Sequence, residues 1–311
     1  IDSSPSPSIQ EEATASVVTP FMPVFNNLVI YDQHVEQNSP DTIRPELASK
    51  WAWNDDKTAL TFTLREGVRW HDGKPVTAED VIFSLNAFKT HHPQLSAYYR
   101  HVTKEEKTGE REVTFTFDAP GNRELPQIVG QLIVLPKHWF EGVDKAGNKR
   151  DIASGTLEPL LGSGPYRMAK VDPGRSITWE RVKDWWAKDL PVNKGTANVD
   201  VVQVDYYRDT TVAFEAFKAG QIDIYEENTA QNWATKYDFP AIRDGLVIKE
   251  QVTHEVPQGM QSFVFNTRRP IFQDARVRRA IGYLFDFEWM NKSFFYDSYT
   301  RTRSYFENSD M

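Results

Sequence analysis

Between residues 58 and 88 the hydrophobic period of the chain changes from that of a strand to that of a helix. Leu60, Phe62 and Leu64 alternate with Thr61 and Thr63, as in a strand with one buried face. Trp70-His71-Asp72-Gly73-Lys74-Pro75 supplies turn residues. Thr77, followed by Glu79 and Asp80, then opens a helix, because the hydroxyl can accept an orphan amide proton and the acids sit at the positive end of the helix dipole. Val81, Ile82, Leu85 and Phe88 recur at helical spacing, so one stripe of that helix faces a core.

The same reading extends along the chain. Residues 15–29 are mixed apolar and predict a helix, and residues 32–42 a polar connection. Residues 47–53 and 58–64 predict a hairpin turned by Asn54-Asp55-Asp56. Val113, Phe115 and Phe117 alternate with threonines as a further strand, residues 136–140 form a short helix or turn, and residues 144–161 a polar loop. Gly162-Ser163-Gly164-Pro165-Tyr166 imposes a tight turn before a strand pair, with Ile177, Trp179 and Arg181 on one face and Val202, Val204 and Tyr206 on the next strand. A helix from Thr211 places Val212, Ala213, Ala216 and Phe217 on one side and stops at Gly220. Ile222 with Ile224, and Phe263-Val264-Phe265, predict two more strands. A last helix, capped by Asp274, turns Val277, Ile281, Leu284 and Phe285 inward.

Composition narrows the function. A chain of 311 residues can bury a large core and ordinarily divides into about two domains. A mean hydropathy of -0.56 and the lack of any apolar run near a membrane span predict a soluble protein without stable membrane insertion. The absence of cysteine removes disulfides, thiolate metal sites and a cysteine nucleophile. A net charge of -8 disfavours nucleic acid and anionic lipid as partners and leaves small solutes. The chain begins at Ile1 without a basic and apolar leader, so the expectation is that any secretion signal was removed or not included.

Candidate chemistry is sparse. His71-Asp72-Gly73 reads as a turn rather than a base with its orienting acid, and His91-His92 as surface histidines, because adjacent side chains diverge. No GxSxG elbow, P-loop or dinucleotide fingerprint occurs, so nothing supports an enzyme. Tyr225-Glu226-Glu227-Asn228, with Trp233 beyond, is the best ligand constellation: either carboxylate could pair with a peptide's cationic amino terminus while the two rings give flat apolar contact. The alternative, in which the acids form a solvated loop and the rings join the core, stands beside it.

Residues 67–85, the Gly162-Ser163-Gly164-Pro165-Tyr166 turn, the run Phe217-Lys218-Ala219-Gly220-Gln221-Ile222-Asp223 and residues 263–280 together resemble the family 5 extracellular solute-binding proteins of ABC importers. Finer features such as Asp184-Trp185-Trp186 and Asn232-Trp233 resemble the branch associated with oligopeptide and peptide-nucleotide antibiotic uptake. The resemblance implies an α/β, periplasmic-binding-protein-like fold (type II, cluster C): a mixed-sheet lobe with an inserted subdomain and the start of a second lobe. It implies residues 1–30 as the first part of lobe I, 31–160 as the inserted subdomain, 161–260 as lobe I sheet and helices, and 261–311 as the crossover and start of lobe II, with the rest of the family pattern absent. It further implies a monomer, periplasmic or at the cell surface, that captures oligopeptides or peptide-like conjugates in an interlobe cleft and hands them to the transmembrane subunits of an ABC permease. No cofactor, metal or catalytic residue is expected. Ser4, Ser6 and Glu11 are added as candidates because the family counterpart of that segment reaches the cleft, and Asn266 and Arg268 because they lie by the crossover. A metal-chelate, opine or sugar-conjugate carrier of the same family, a peptide or glycan hydrolase, and a protein-interaction module are the competing expectations.

Overall fold

The alternation of apolar residues with threonines builds the central sheet of the computed structural model, which describes residues 24–32, 34–35, 39–92, 94–121, 124–252, 260 and 262–307. The chain divides into two compact units, one up to Tyr206 and one from Tyr207 onward. In the first unit β1 (Val29–Tyr31) pairs with β2 (Ile43–Pro45). Four strands, β3 (Ala48–Trp53), β4 (Ala59–Leu64), β5 (Val102–Gly109) and β6 (Glu112–Phe117), form an antiparallel sheet in the order β3-β4-β6-β5. Register sets Leu60 opposite Phe115 and Phe62 opposite Val113, all four fully buried, whereas Thr61 and Thr114 share a hydrogen bond of 2.7 Å on the other face. The β3–β4 turn closes because the Asn54 side-chain oxygen accepts from the amides of Thr58 and Ala59 at 3.0 and 2.8 Å.

The helix Ala78–His91 starts where expected: Thr77 accepts from the Asp80 amide, and Asp80 returns the bond to Thr77. Asp80 is buried and does more than close a capping box. Its Oδ2 accepts from the Thr77 amide at 2.8 Å and the Thr77 hydroxyl at 2.9 Å, and its Oδ1 accepts from the Lys137 amide at 2.9 Å. The Lys137 bond anchors the one-turn helix Lys137–Phe140 to the start of the long one. Ser84, one turn on, accepts from the Leu135 amide at 2.7 Å. His92 is also buried, not a surface residue: its Nδ1 accepts from the Leu95 amide at 3.1 Å and so helps start the next helical turn.

Residues 24–29 are not helical. They make a turn, a bridge from Asn27 to Ile133 and the start of β1, because the Leu28 carbonyl accepts from the amides of Glu46 and Ala48; residues 15–23 of the expected helix lie outside the described residues.

A second antiparallel sheet, β7 (Tyr166–Asp172), β8 (Ser176–Arg181) and β9 (Val201–Asp205), buries Ile177 and Trp179 completely. It is entered through the turn at 162–164, which is seated on Val24. The Val24 carbonyl accepts from the amides of Ser163 and Gly164 at 3.0 and 2.8 Å, and a Cβ at Gly162 would lie 1.9 Å from that carbonyl oxygen. The Ser163 carbonyl takes both indole protons, from Trp185 at 2.9 Å and Trp186 at 3.0 Å. Its hydroxyl donates to Asn26, whose amide nitrogen donates to Glu46 at 2.6 Å. Glu46 also accepts from the Asn27 amide at 3.0 Å, but burial outweighs both bonds and raises its carboxyl from 4.5 to about 7.

The unit from Tyr207 is smaller in its core. Helix Thr210–Lys218 is capped by Asp209, whose Oδ1 accepts from the Val212 amide at 2.9 Å, and ends at Gly220, where φ is +73°. Phe214, Phe217 and Phe239 are its buried apolar centre. The strands expected at 222–224 and 263–265 do not form; the chain bends at Asp223. Ile224, Phe263 and Val264 are each more than four-fifths exposed, since a strand needs a neighbour and the described residues provide none there. Asp274 caps helix Ala275–Gly282 through the Arg276 amide at 2.8 Å, as expected, yet Ile281, Leu284 and Phe285 do not face a core and remain exposed.

Asp80→Ala, which removes the acceptor of two part-buried amides and of the Thr77 hydroxyl, should cost about 3 kcal/mol, against about 1 kcal/mol for Thr77→Ala, which removes one cap acceptor. Urea denaturation checks this, and an equal cost for both would show that the tie to Lys137 contributes nothing. Glu46 makes stability depend on pH in the direction opposite to an ordinary surface acid. Its folded value lies above its unfolded one, so its stabilising share is complete below about 4.5 and is lost as pH rises to about 7, some ~3 kcal/mol in all. Unfolding midpoints at pH 5 and 7.5 should show that fall in the parent protein and not in Glu46→Gln.

Candidate ligand-binding site

Among the described residues, one place in each unit brings together polar side chains that the sequence singled out. In the first, residues 70–74 form the expected turn: Gly73 donates to the Trp70 carbonyl, Trp70 to the Lys74 carbonyl, and Asp72 accepts from the Lys74 amide. His71 leaves that turn to reach the 162–164 turn, its amide donating to the Gly162 carbonyl at 2.8 Å and its Nε2 to the Gly164 carbonyl at 2.9 Å. A carbonyl can only accept, so Nε2 carries the proton and Nδ1 is a buried acceptor without a partner among the described residues. Burial lowers the imidazole below its ordinary value. Beside it runs a groove of about 510 Å³ whose charges are largely spent on each other, Arg167 on Glu180 at 2.7 Å and Arg181 on Asp200 at 2.5 Å. His71 and Asp72 do not form a base with its orienting acid: Asp72 pairs with His138 at 2.8 Å.

In the second unit the Tyr225–Trp233 constellation separates into parts. Tyr225 stacks on Phe217, centroids 5.2 Å apart and planes 23° apart, and packs on Phe214, so its ring is an extension of the aromatic core. Burial raises its phenol, with Glu227 second. Glu226 and Asn228 are exposed. Glu227 is half-buried and held: its Oε1 accepts from the Thr229 amide at 2.8 Å and from Asn232 at 3.5 Å, and its Oε2 from the Tyr237 hydroxyl at 3.2 Å. Burial first, then the Glu227 charge, push the Tyr237 phenol well up, so it stays a donor.

Trp233 and Tyr237 lie four residues apart across the end of helix Ala230–Thr235 and meet at 5.6 Å, tilted by 53°. Over them sits a cation of the chain itself: the Lys249 ammonium is 4.2 Å from the Trp233 centroid, 5.4 Å from that of Tyr237, and donates to the Trp233 carbonyl at 2.5 Å. The structure thus holds Glu227 against Tyr237, which meets Trp233, while Tyr225 packs into the aromatic core and Asn228 is exposed. Tyr237 and Lys249 were missed from the sequence. The four-residue spacing of Trp233 and Tyr237 carried a signal for the first; nothing local marked Lys249.

Asn266 and Arg268 are exposed and bond to each other, the Asn266 oxygen accepting from the Arg268 amide and Nε, both at 3.2 Å. Ser4, Ser6 and Glu11 lie outside the described residues. Among the described residues no group of three metal-ligating side chains converges, and no helix is long and apolar enough to cross a membrane.

The model of the bacterial extracellular solute-binding proteins, family 5, middle part, matches residues 42–310. The chain belongs to this family. Among curated relatives of this family 5 protein, the probable peptide-binding protein YejA of Agrobacterium fabrum is 48% identical over 267 residues, 85% of this chain and 44% of the relative. The peptidoglycan-binding protein YepA of the same organism is 39% identical over 302 residues, 93% of this chain and 48% of that protein. The chain therefore spans about half the length of the curated relatives it matches. Of solved structures, NikZ from Campylobacter jejuni in complex with Ni(L-His) superposes with a TM-score of 0.67 at 19% identity, covering 98% of this chain and 58% of that one. The oligopeptide-binding protein AppA from Bacillus subtilis in complex with a nonapeptide gives 0.65 at 21%, covering 92% and 52%. The fold is the type II periplasmic-binding-protein fold of family 5, and the relatives named are binding proteins.

Proposed function

We propose that this family 5 protein captures peptides or peptide-like conjugates outside the cytoplasm, in a cleft between two lobes, and passes them unchanged to an ABC permease. The observation that supports the peptide solute most is the 48% identity to a probable peptide-binding protein over 85% of this chain. The local chemistry agrees with it. Glu227 is a fixed acceptor beside two aromatic faces, and Glu226 is an exposed carboxylate next to it. An amino terminus common to all peptides would be met by charge and ring surface, with no demand on the side chains that follow. Closure on the ligand is the energetic route to transport in this reading: a solute touching both walls only in the closed form shifts the population toward it. Residues 161–260 and 261–311 would then carry lobe I and the crossover.

Calorimetry on the full chain with tri-alanine and N-acetyl-tri-alanine tests the amine contact. Glu226→Gln combined with Glu227→Gln should weaken the free-amine peptide about ten-fold, the scale of one charged hydrogen bond, and the acetylated one far less. Equal loss for both removes the amino-terminus role. Saturation by a divalent ion or its chelate instead of peptide would favour the metal-carrier alternative, and cleaved peptide in the mass spectrum the hydrolase.

A further inference from the structure

We propose that Lys249 is the resident occupant of the cation site on Trp233 and Tyr237, so that an incoming ammonium group enters by displacing it. The proposal deepens the peptide reading above and rests on it for the identity of the natural ligand, but not for the occupancy itself.

The geometry is that of a filled site. The Lys249 ammonium lies within cation–π range of two rings and is fixed by one carbonyl, and the rings are themselves positioned. Trp233 belongs to helix Ala230–Thr235, and the Tyr237 hydroxyl is anchored on Glu227, whose other oxygen is tied to the Thr229 amide. A lysine side chain within a peptide presents the same primary ammonium on an unbranched stem, and a peptide's amino terminus presents a primary ammonium on its Cα. The site therefore takes primary ammonium groups.

The occupant is attached by a chain that can let go. Leu246 and Val247 are held by the Ala241 carbonyl at 2.8 and 3.0 Å, whereas residues 248–252 are exposed and outside regular structure. The four-carbon stem of lysine adds further reach. Its charge is met by rings and a carbonyl rather than a carboxylate, so the contact is of the modest kind typical of exposed cation–π pairs, favouring occupancy by roughly two- to five-fold. A competitor must overcome that factor, since apparent affinity falls by the fraction of sites that are open. Lys249 would thus set a threshold: solutes with a free amine compete for the rings, and neutral or acetylated ones do not.

The test uses the full chain with its lysines reductively dimethylated with 13C, which keeps the charge, and Lys249→Gln to assign the resonance. Residency predicts an upfield, ring-current-shifted Lys249 signal that returns to the bulk lysine position in Trp233→Leu. Displacement predicts that n-butylammonium moves it to the bulk position, that tri-alanine does so and N-acetyl-tri-alanine does not, and that Lys249→Gln binds tri-alanine roughly three- to six-fold more tightly. A Lys249 signal already at the bulk position in the parent protein overturns the inference whatever peptides do. A shifted signal that stays in place while tri-alanine binds overturns displacement. A shifted signal displaced by n-butylammonium, with no tri-alanine binding in either protein, upholds the resident cation and removes the peptide reading instead.

Discussion

The seat of the 162–164 turn on Val24 is the constraint on which most of the first unit depends. One carbonyl oxygen accepts from two successive amides, and there is room for this only because position 162 has no Cβ; an added one would fall 1.9 Å from that oxygen. The same turn then presents the Ser163 carbonyl to two tryptophans, the Ser163 hydroxyl to Asn26, and the Gly162 and Gly164 carbonyls to His71. Segments around 26, 46, 71, 163 and 185 meet at one point although they are far apart in sequence. Because the cluster is buried, each of those bonds replaces one with water that is no longer available, and losing any member leaves a partner unsatisfied. This is also why Glu46 is tolerated in the interior: it is held by two donors, and its raised carboxyl is the residue of a solvation loss they only partly offset.

The second unit shows what happens where such closure is not reached. Its core is a knot of aromatic rings, with Phe214 contacting Phe217, Tyr225, Tyr237 and Phe239 at 5.3–6.3 Å. Around it Ile224, Leu246, Ile248, Phe263, Val264 and Leu284 are exposed. Single exposed apolar residues are ordinary, but so many on one small unit exceed what its own elements can bury. The unpaired segments at 222–224 and 263–265 have strand composition without strand structure because pairing is a property of two segments, and composition is a property of one.

That distinction separates what was legible in the sequence from what was not. The hairpin at 48–64, the strand at 112–117, the cap at Thr77, the turns at 70–74 and 162–164 and the stop at Gly220 were all readable, since each is decided within a few residues. Long-range roles were hidden. Nothing near Asp80 announces Lys137, and nothing near His92 announces that its ring would be buried to cap a following turn. The inward face expected on the 275–285 helix failed for the same reason: periodicity says which side is apolar and not whether anything covers it. At the candidate site, proximity along the chain groups Tyr225 with Glu227 and Trp233, whereas the structure packs Tyr225 on Phe217 and sets Tyr237 against both Glu227 and Trp233.

The regrouping changes the chemistry. With Tyr225 in the core, the two carboxylates of 226–227 play unequal parts. Glu226 is exposed, so its charge is screened by water and salt and contributes less per contact. Glu227 is fixed by an amide and a phenol, and through Tyr237 it orients an aromatic face rather than offering both of its oxygens to a ligand. A ring face attracts a cation without the directional demands of a hydrogen bond. Under the proposed function, a site of this kind would discriminate by charge at the ammonium and be indifferent to what lies beyond it.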